Sequence, residues 1–381
     1  MAAPATRRTI AGRCRRRVCI AGNAAVSGPS PADPGGSAAS TVGVDGGWAM
    51  TSILPRRLAS ASPPVHIGPV TEPARPADDA FRPFDRRRHA NNRARAAANF
   101  AGHRFLLEAA GEGLADRLDD VTRRFPRALD LGCHDGTLGR LLNGRGGVET
   151  LIQSDLSERF ARLAEAPDRP ALVADEEVLP FAEGAFDLVL SNLSLHWVND
   201  LPGSLLQIRR MLKPDGLFLA TLFGADTLGE LRACLLEAES AIVGGAHLRI
   251  APFADLRDAA GLLQRAGFAL PVADSDLLTV TYADAFRLMA DLRGMGEQSA
   301  LTDAPHRPAT KRLFMEAARL YQERHADADG RIRATFRIVY LTGWAPAETQ
   351  QRPLRPGSAA ARLADALGTI ERPAGDKAKP R

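Results

Sequence analysis

Between residues 128 and 222, short apolar runs alternate with amphipathic stretches, and this constrains the fold more than any other feature. The apolar runs are 128–131, 150–154, 171–174, 186–191 and 217–222; segments 137–142, 157–164 and 201–212 between them carry helical spacing. Strands that are apolar throughout are buried on both faces. Strand–helix alternation supplies the cover, so the pattern predicts an α/β fold with a mainly parallel sheet and helices on both sides. The run Leu212-Lys-Pro-Asp-Gly216 predicts a helix end before the fifth strand. Downstream, 227–242, 255–266, 283–292 and 310–323 read as helices, and 277–282 and 335–341 as strands. Upstream, residues 82–118 read as helical, with seven arginines against Asp85 in the first half. That stretch is either a solvated face or a lid meeting an anionic ligand group or an acidic protein partner.

The sequence pI near 9.1 invites a nucleic-acid reading, so the location of the charge matters. Residues 1–76 carry nine Arg against three acids, and 346–381 carry seven basic residues against four acids. Residues 77–345 hold 33 basic and 38 acidic residues, a net −5. The body is acidic, which argues against a polyanion partner. Residues 1–76 are Ala/Gly/Pro/Ser-rich without periodicity and are expected to be a disordered extension, as is the 346–381 tail. The Arg-rich start fits an organelle presequence, or sequence upstream of a true start at Met50. Of four cysteines only Cys133 and Cys234 lie in the body, with no C-x-x-C, so neither a disulfide framework nor structural zinc is expected. No run approaches the ~18 apolar residues of a membrane span.

The chemistry concentrates in Ala128-Leu-Asp-Leu-Gly-Cys-His-Asp-Gly136, where a strand feeds a glycine turn that opens a helix. Backbone approaches a ligand closely there, and the helix start offers free N–H donors. The spacing fails the dinucleotide fingerprint, and Asp130 would repel a pyrophosphate; it suits a ligand with a cationic part such as an amino group. Asp155 ends the second strand, where a carboxylate can accept from a ribose diol, and Asp175 and Glu176 end the third. Acids in register at the ends of three strands line the crevice where open α/β sheets bind ligands.

With these residues in place, the sequence resembles the class I S-adenosylmethionine-dependent methyltransferases. The resemblance rests on the glycine turn, Ser154-Asp-Leu-Ser157, Asp175-Glu before Leu179-Pro-Phe181, Phe186-Asp-Leu-Val-Leu-Ser-Asn192 and Leu212-Lys-Pro-Asp-Gly216. It implies a Rossmann-like sheet of about seven strands, with a core at 127–222 and a cap at 223–330 inside a 77–345 domain. It implies S-adenosylmethionine held by Asp130, Gly132, Cys133, His134 and Gly136 at the methionine part, Asp155 and Leu156 at the ribose, Asp175 and Glu176 at the adenine side, and Asn192 at the rim. His134 stands where the family's turn has a small residue.

A second set of motifs is similar to the mitochondrial complex I assembly-factor (arginine hydroxylase) branch: Leu193-Ser-Leu-His-Trp197, Phe223-Gly-Ala-Asp-Thr227, Gly294-Met-Gly-Glu297 and Tyr340-Leu-Thr-Gly-Trp344. A more distant similarity is to the malonyl-acyl-carrier-protein methyltransferases of biotin synthesis. Three readings follow. The first is methyl transfer to a protein or acyl-carrier-protein substrate. The second is hydroxylation of an arginine on a complex I iron–sulfur subunit, and the third is an assembly chaperone that binds the cofactor without turnover. The compartment implied is a bacterial cytoplasm, or the mitochondrial matrix for a eukaryotic source. Methyl transfer needs little acid–base machinery, so no catalytic residue is assigned and no metal is expected; a non-contiguous metal site from His134, His196 and Asp226 is the one alternative. Trp197, Tyr282, Met289 and Met295 are candidates for a substrate pocket or for core.

Overall fold

A computed structural model describes residues 10–11, 82–303, 309–350 and 362–370. Seven strands form one sheet: β1 (Arg127–Leu131), β2 (Thr150–Asp155), β3 (Ala171–Val173), β4 (Phe186–Asn192), β5 (Leu212–Phe223), β6 (Ala269–Tyr282) and β7 (Ile332–Trp344). Their spatial order is β6-β7-β5-β4-β1-β2-β3. β1 to β5 pair in parallel, and β7 runs antiparallel to both β5 and β6. This is the Rossmann-like sheet expected from the alternation, with one reversed strand. At its open edge Ile10 and Ala11 pair antiparallel with Val280 and Thr279.

The helices are α1 (Arg86–Ala96), α2 (Phe105–Asp119), α3 (Thr137–Leu142), α4 (Glu158–Ala164), α5 (Leu201–Met211), α6 (Gly229–Val243), α7 (Leu256–Arg265), α8 (Ala285–Met295), α9 (Lys311–His325) and α10 (Leu363–Leu367). Period-two alternation sends neighbouring strand residues to opposite layers. On β5, Leu217, Leu219 and Phe223 join the layer containing α2, α6 and α9; Phe218, Ala220 and Leu222 join that of α5 and α7. Both faces are therefore dry, which is why the first strands read as unbroken apolar runs.

Three expectations change. The helical stretch 82–118 is two helices, broken at 97–104 where Phe100 turns into the core. The helix ends as read, with Leu212 as its C-cap, but the strand begins at once: Leu212 pairs with Phe186, and an irregularity between Phe186 and Leu188 absorbs the Pro-Asp-Gly residues. β6 is far longer than 277–282 because its first half is a partly exposed antiparallel strand with polar residues such as Asp274 and Asp276. Most of 1–76 and 351–381 lies outside the described residues. The exceptions are the Ile10–Ala11 pairing and α10, whose Leu/Ala run ends at Gly368 with φ +62°. Among the described residues no helix is long and apolar enough to cross a membrane.

Candidate functional site

The carboxyl ends of β1, β2, β3 and β4 converge on one cleft, and α1 lies across it. At the end of β1 the chain reverses through three left-handed residues, Gly132 (φ +75°), His134 (φ +51°) and Gly136 (φ +76°), before α3 begins. A Cβ on Gly132 would stand 2.1 Å from Ser194 Oγ, so the turn admits only glycine there. Asp135, one residue before the Gly136 N-cap, accepts from the Thr137 N–H at 3.2 Å. Arg104 and Arg140 close on its other oxygen, where a cavity of about 600 Å³ opens beside the turn.

Asp130, one residue before the end of β1, is fully buried, and neither carboxylate oxygen has a partner among the described residues. Burial, with Asp155 and Asp135 adding like charge, pushes its carboxyl up to about 8. An unpaired buried carboxylate costs several kcal/mol unless it is protonated or meets a cation.

Asp155 ends β2 and is also buried, but every side of it is occupied. Arg93 donates to it from Nε at 3.2 Å and from Nη2, and the backbone N–H groups of His134 (3.0 Å) and Ser157 (2.8 Å) complete the set. Burial pushes the Asp155 carboxyl up, against the pull of the guanidinium. Arg93 also reaches His134 Nε2 at 2.9 Å, and His134 Nδ1 lies 2.8 Å from the Gly132 carbonyl. A guanidinium can only donate and a carbonyl can only accept, so His134 is neutral with its proton on Nδ1. Burial and then Arg93 hold its pKa well below the usual imidazole range.

Two turns earlier on α1, Arg86 spans the next acids. Its Nη2 bonds Asp175 at 2.6 Å and also Glu176, and its Nη1 donates to the Trp197 carbonyl at 3.1 Å. Burial works against the Glu176 charge, but Arg86 and then Arg93 hold its carboxyl below the usual range. Between the two arginines, His89 is buried and stacks on Trp197 with ring centroids 5.0 Å apart; neither ring nitrogen has a hydrogen-bond partner among the described residues.

The row of acids thus lies where the sequence places it, and the structure adds what faces it: the arginine-rich helix turns Arg86 and Arg93 inward. Cys133 is buried beside the turn, its thiol pushed up by burial; Leu156 is half-buried after Asp155. Asn192, expected at the rim beyond β4, is held by bonds within the fold. Its Nδ2 donates to the Leu107 carbonyl at 2.9 Å and its Oδ1 accepts from Thr221 Oγ1 at 2.7 Å, so its polar atoms tie β4 to α2 and β5. His134, His196 and Asp226 do not converge: His196 pairs with Glu297, and Asp226 with Arg337. No group of three or more His, Cys, Asp or Glu able to hold a metal occurs among the described residues.

A second, mainly apolar cavity of about 260 Å³ is lined by Phe223 of β5, Phe336 of β7 and residues of α6, α8 and α9. Trp197 and Met289 line it, whereas Tyr282 and Met295 belong to the core. Glu297, to which no role is assigned from the sequence, also lines this cavity.

With this geometry in view, comparison with known proteins is informative. Residues 129–220 match the "Methyltransferase domain" family model, the segment from β1 to β5 that carries the glycine turn and the acids. The human mitochondrial arginine-hydroxylase NDUFAF5 is 43% identical over 270 residues, 70% of this chain and 77% of the human protein. The zebrafish (Danio rerio) protein of the same name is 41% identical over 68% of this chain and 81% of its own length. The chain belongs to the class I methyltransferase-like superfamily, in the arginine-hydroxylase branch. A malonyl-[acyl-carrier protein] O-methyltransferase of Methylovorus is 32% identical over 66% of this chain and 86% of that protein. The match to the first two relatives, over 270 and 263 residues, is far longer than the 129–220 segment covered by the family model.

Proposed function

We propose that this protein binds S-adenosylmethionine at the carboxyl ends of β1 to β4 and acts on an arginine side chain of a protein substrate, the reaction being hydroxylation by dioxygen, with one oxygen atom entering the arginine and the other leaving as water at the expense of an external two-electron donor. The observation that carries the cofactor half is Asp130: a buried carboxylate without a partner, beside a turn that only glycine can make, is matched by the cofactor's cationic amino group. Gly132 to Gly136 would hold the methionine part, Asp155 the ribose, and Asp175 and Glu176 the adenine side. Bound there, the cofactor would place a positively charged sulfonium in the cleft, whose methyl is consumed only in the transfer reading below. The chain's own contribution is to position it and to exclude water, which Arg86, Arg93 and the buried His89 do from α1. Because Arg93 fills the acceptor positions of Asp155, α1 must shift for the ribose to enter. The acceptor half rests on the 43% identity to proteins named arginine-hydroxylases. A complex I iron–sulfur subunit is the partner this branch implies. The compartment is the mitochondrial matrix in a eukaryote and the cytoplasm in a bacterium.

A second reading, methyl transfer to a protein or carrier-protein acceptor, is favoured by the match of residues 129–220 to the methyltransferase model. One experiment separates them. The full chain is incubated aerobically with a two-electron reductant, methyl-labelled cofactor and an arginine-bearing subunit, and product masses are read. A gain of one oxygen supports hydroxylation and a gain of one labelled methyl supports transfer. Cofactor binding without either product supports the chaperone reading. Failure to bind S-adenosylmethionine at millimolar concentration would sink the cofactor assignment itself.

A further inference from the structure

The second cavity combines apolar walls with one anchored carboxylate. Glu297, at the end of the Gly294-Met-Gly-Glu297 motif, has an 8% exposed side chain. Its Oε2 accepts from Trp197 Nε1 at 2.8 Å and lies 3.1 Å from His196 Nε2. Trp197 is buried and an indole N–H can only donate, so Oε2 is held as an acceptor there. Oε1 has no such partner among the described residues, and the residue lines the cavity. One oxygen is fixed by the protein and the other remains to be used.

The surroundings define what could use it. Two arginines line the same cavity, but Arg249 is engaged by the buried Glu239 at 2.6 Å and Arg293 is exposed. Neither hydrogen-bonds Glu297, and the buried Arg93, which feels its charge, donates instead to Asp155 and lies against His134. Phe223, Phe253 and Phe336 supply faces for a methylene stem and for stacking of a planar cation. The volume, about 260 Å³, falls just below the ~300–1,000 Å³ of sites that enclose drug-sized ligands, which suits one long side chain. A carboxylate-bearing acyl group would instead set like charge against Glu297.

We propose that this cavity receives a single guanidinium side chain and that Glu297 is its specificity-determining acceptor. The inference deepens the reading above and rests on the substrate being an arginine; it adds the site and the residue. Trp197 and His196 act as positioning residues that aim the Glu297 carboxylate.

The test uses the full chain with two isosteric probes, N-acetyl-arginine methylamide and N-acetyl-citrulline methylamide, titrated to tens of millimolar. The arginine probe is expected to bind at least tenfold tighter than the uncharged one. Glu297→Gln keeps an oxygen for Trp197, and is expected to abolish that preference while leaving S-adenosylhomocysteine affinity and Tm unchanged. Glu297→Asp keeps the charge and is expected to retain the preference, in weakened form. Equal binding of the two probes by the wild type, no binding of either, or a preference that survives Glu297→Gln would each overturn the proposal. If the preference is seen but no arginine-bearing protein gains oxygen or methyl, the reaction reading fails and the pocket assignment stands.

Discussion

Arg93 and Asp155 form an ion pair with no solvent exposure on either side chain, joining the middle of α1 to the end of β2 across the cleft. On the proposed assignment of Asp155 to the ribose, the diol and the guanidinium would compete for the same two oxygens, and cofactor entry would be coupled to α1. With opening of α1 as the slow step, association of S-adenosylhomocysteine should level off at high ligand concentration in stopped-flow fluorescence. A rate that climbs linearly to the highest concentration reached would show that Arg93 is no obstacle.

The same pair bears on stability. Removing one partner of a buried ion pair leaves the other charge uncompensated, at a cost of about 3–5 kcal/mol. Arg93→Met should lower the urea midpoint accordingly. Adding Asp155→Asn should recover a large part, because the charge left behind is then gone. A double variant no more stable than Arg93→Met would show that packing of the Arg93 stem, against Phe160 at 5.1 Å from the ring centroid, dominates instead.

Asp130 makes stability depend on pH with a definite sign. Its folded-state pKa is raised to about 8, well above the ~3.9 of an unfolded chain. Between those values the folded state holds a proton that the unfolded state has released. Stability is therefore greatest at the acid end and falls as pH rises towards 8, by up to about 1.4 kcal/mol per unit. Asp130→Asn should flatten that slope and be the more stable protein at pH 8. Parallel stability–pH curves for the two proteins would mean that Asp130 ionises normally.

Asn192 offers a contrast within the candidate set. Its side chain ties Leu107 of α2 to Thr221 of β5, so Asn192→Ala strands two buried partners. A loss of about 1–3 kcal/mol is expected, with S-adenosylhomocysteine affinity unchanged. Calorimetry showing a tenfold weaker complex at full stability would return Asn192 to the cofactor.

What the sequence makes legible here, and what it hides, follows from range. β1 to β4 are apolar runs between helices, and their period survives in one dimension. The acids at their ends are legible because strand ends fix where a side chain stands. The inward turn of Arg86 and Arg93 is not, since seven arginines on one stretch look alike until carboxylates 62 and more residues away select two of them. Their seven-residue spacing, one face of a helix, was the available signal. Glu297 was hidden for a similar reason: its partners Trp197 and His196 lie a hundred residues away.

Gly132 is the position where local geometry and the site meet most tightly. An alanine there must adopt φ +75° and place its methyl 2.1 Å from Ser194 Oγ and 2.3 Å from Ser194 Cβ. Ser194 cannot yield freely, since its hydroxyl donates to Glu176 Oε1 at 2.8 Å. Gly132→Ala should therefore disturb both the turn and the acid behind it, and lose measurable S-adenosylhomocysteine binding. Its stability cost has two parts: the left-handed backbone, about 1–2 kcal/mol for a residue with a Cβ, and the clash. Adding Ser194→Gly removes the clash and leaves the backbone part, so the double variant should be more stable than Gly132→Ala alone. If Ser194→Gly restores nothing, the strain lies wholly in the turn, and the close packing of Ser194 against it has no energetic weight.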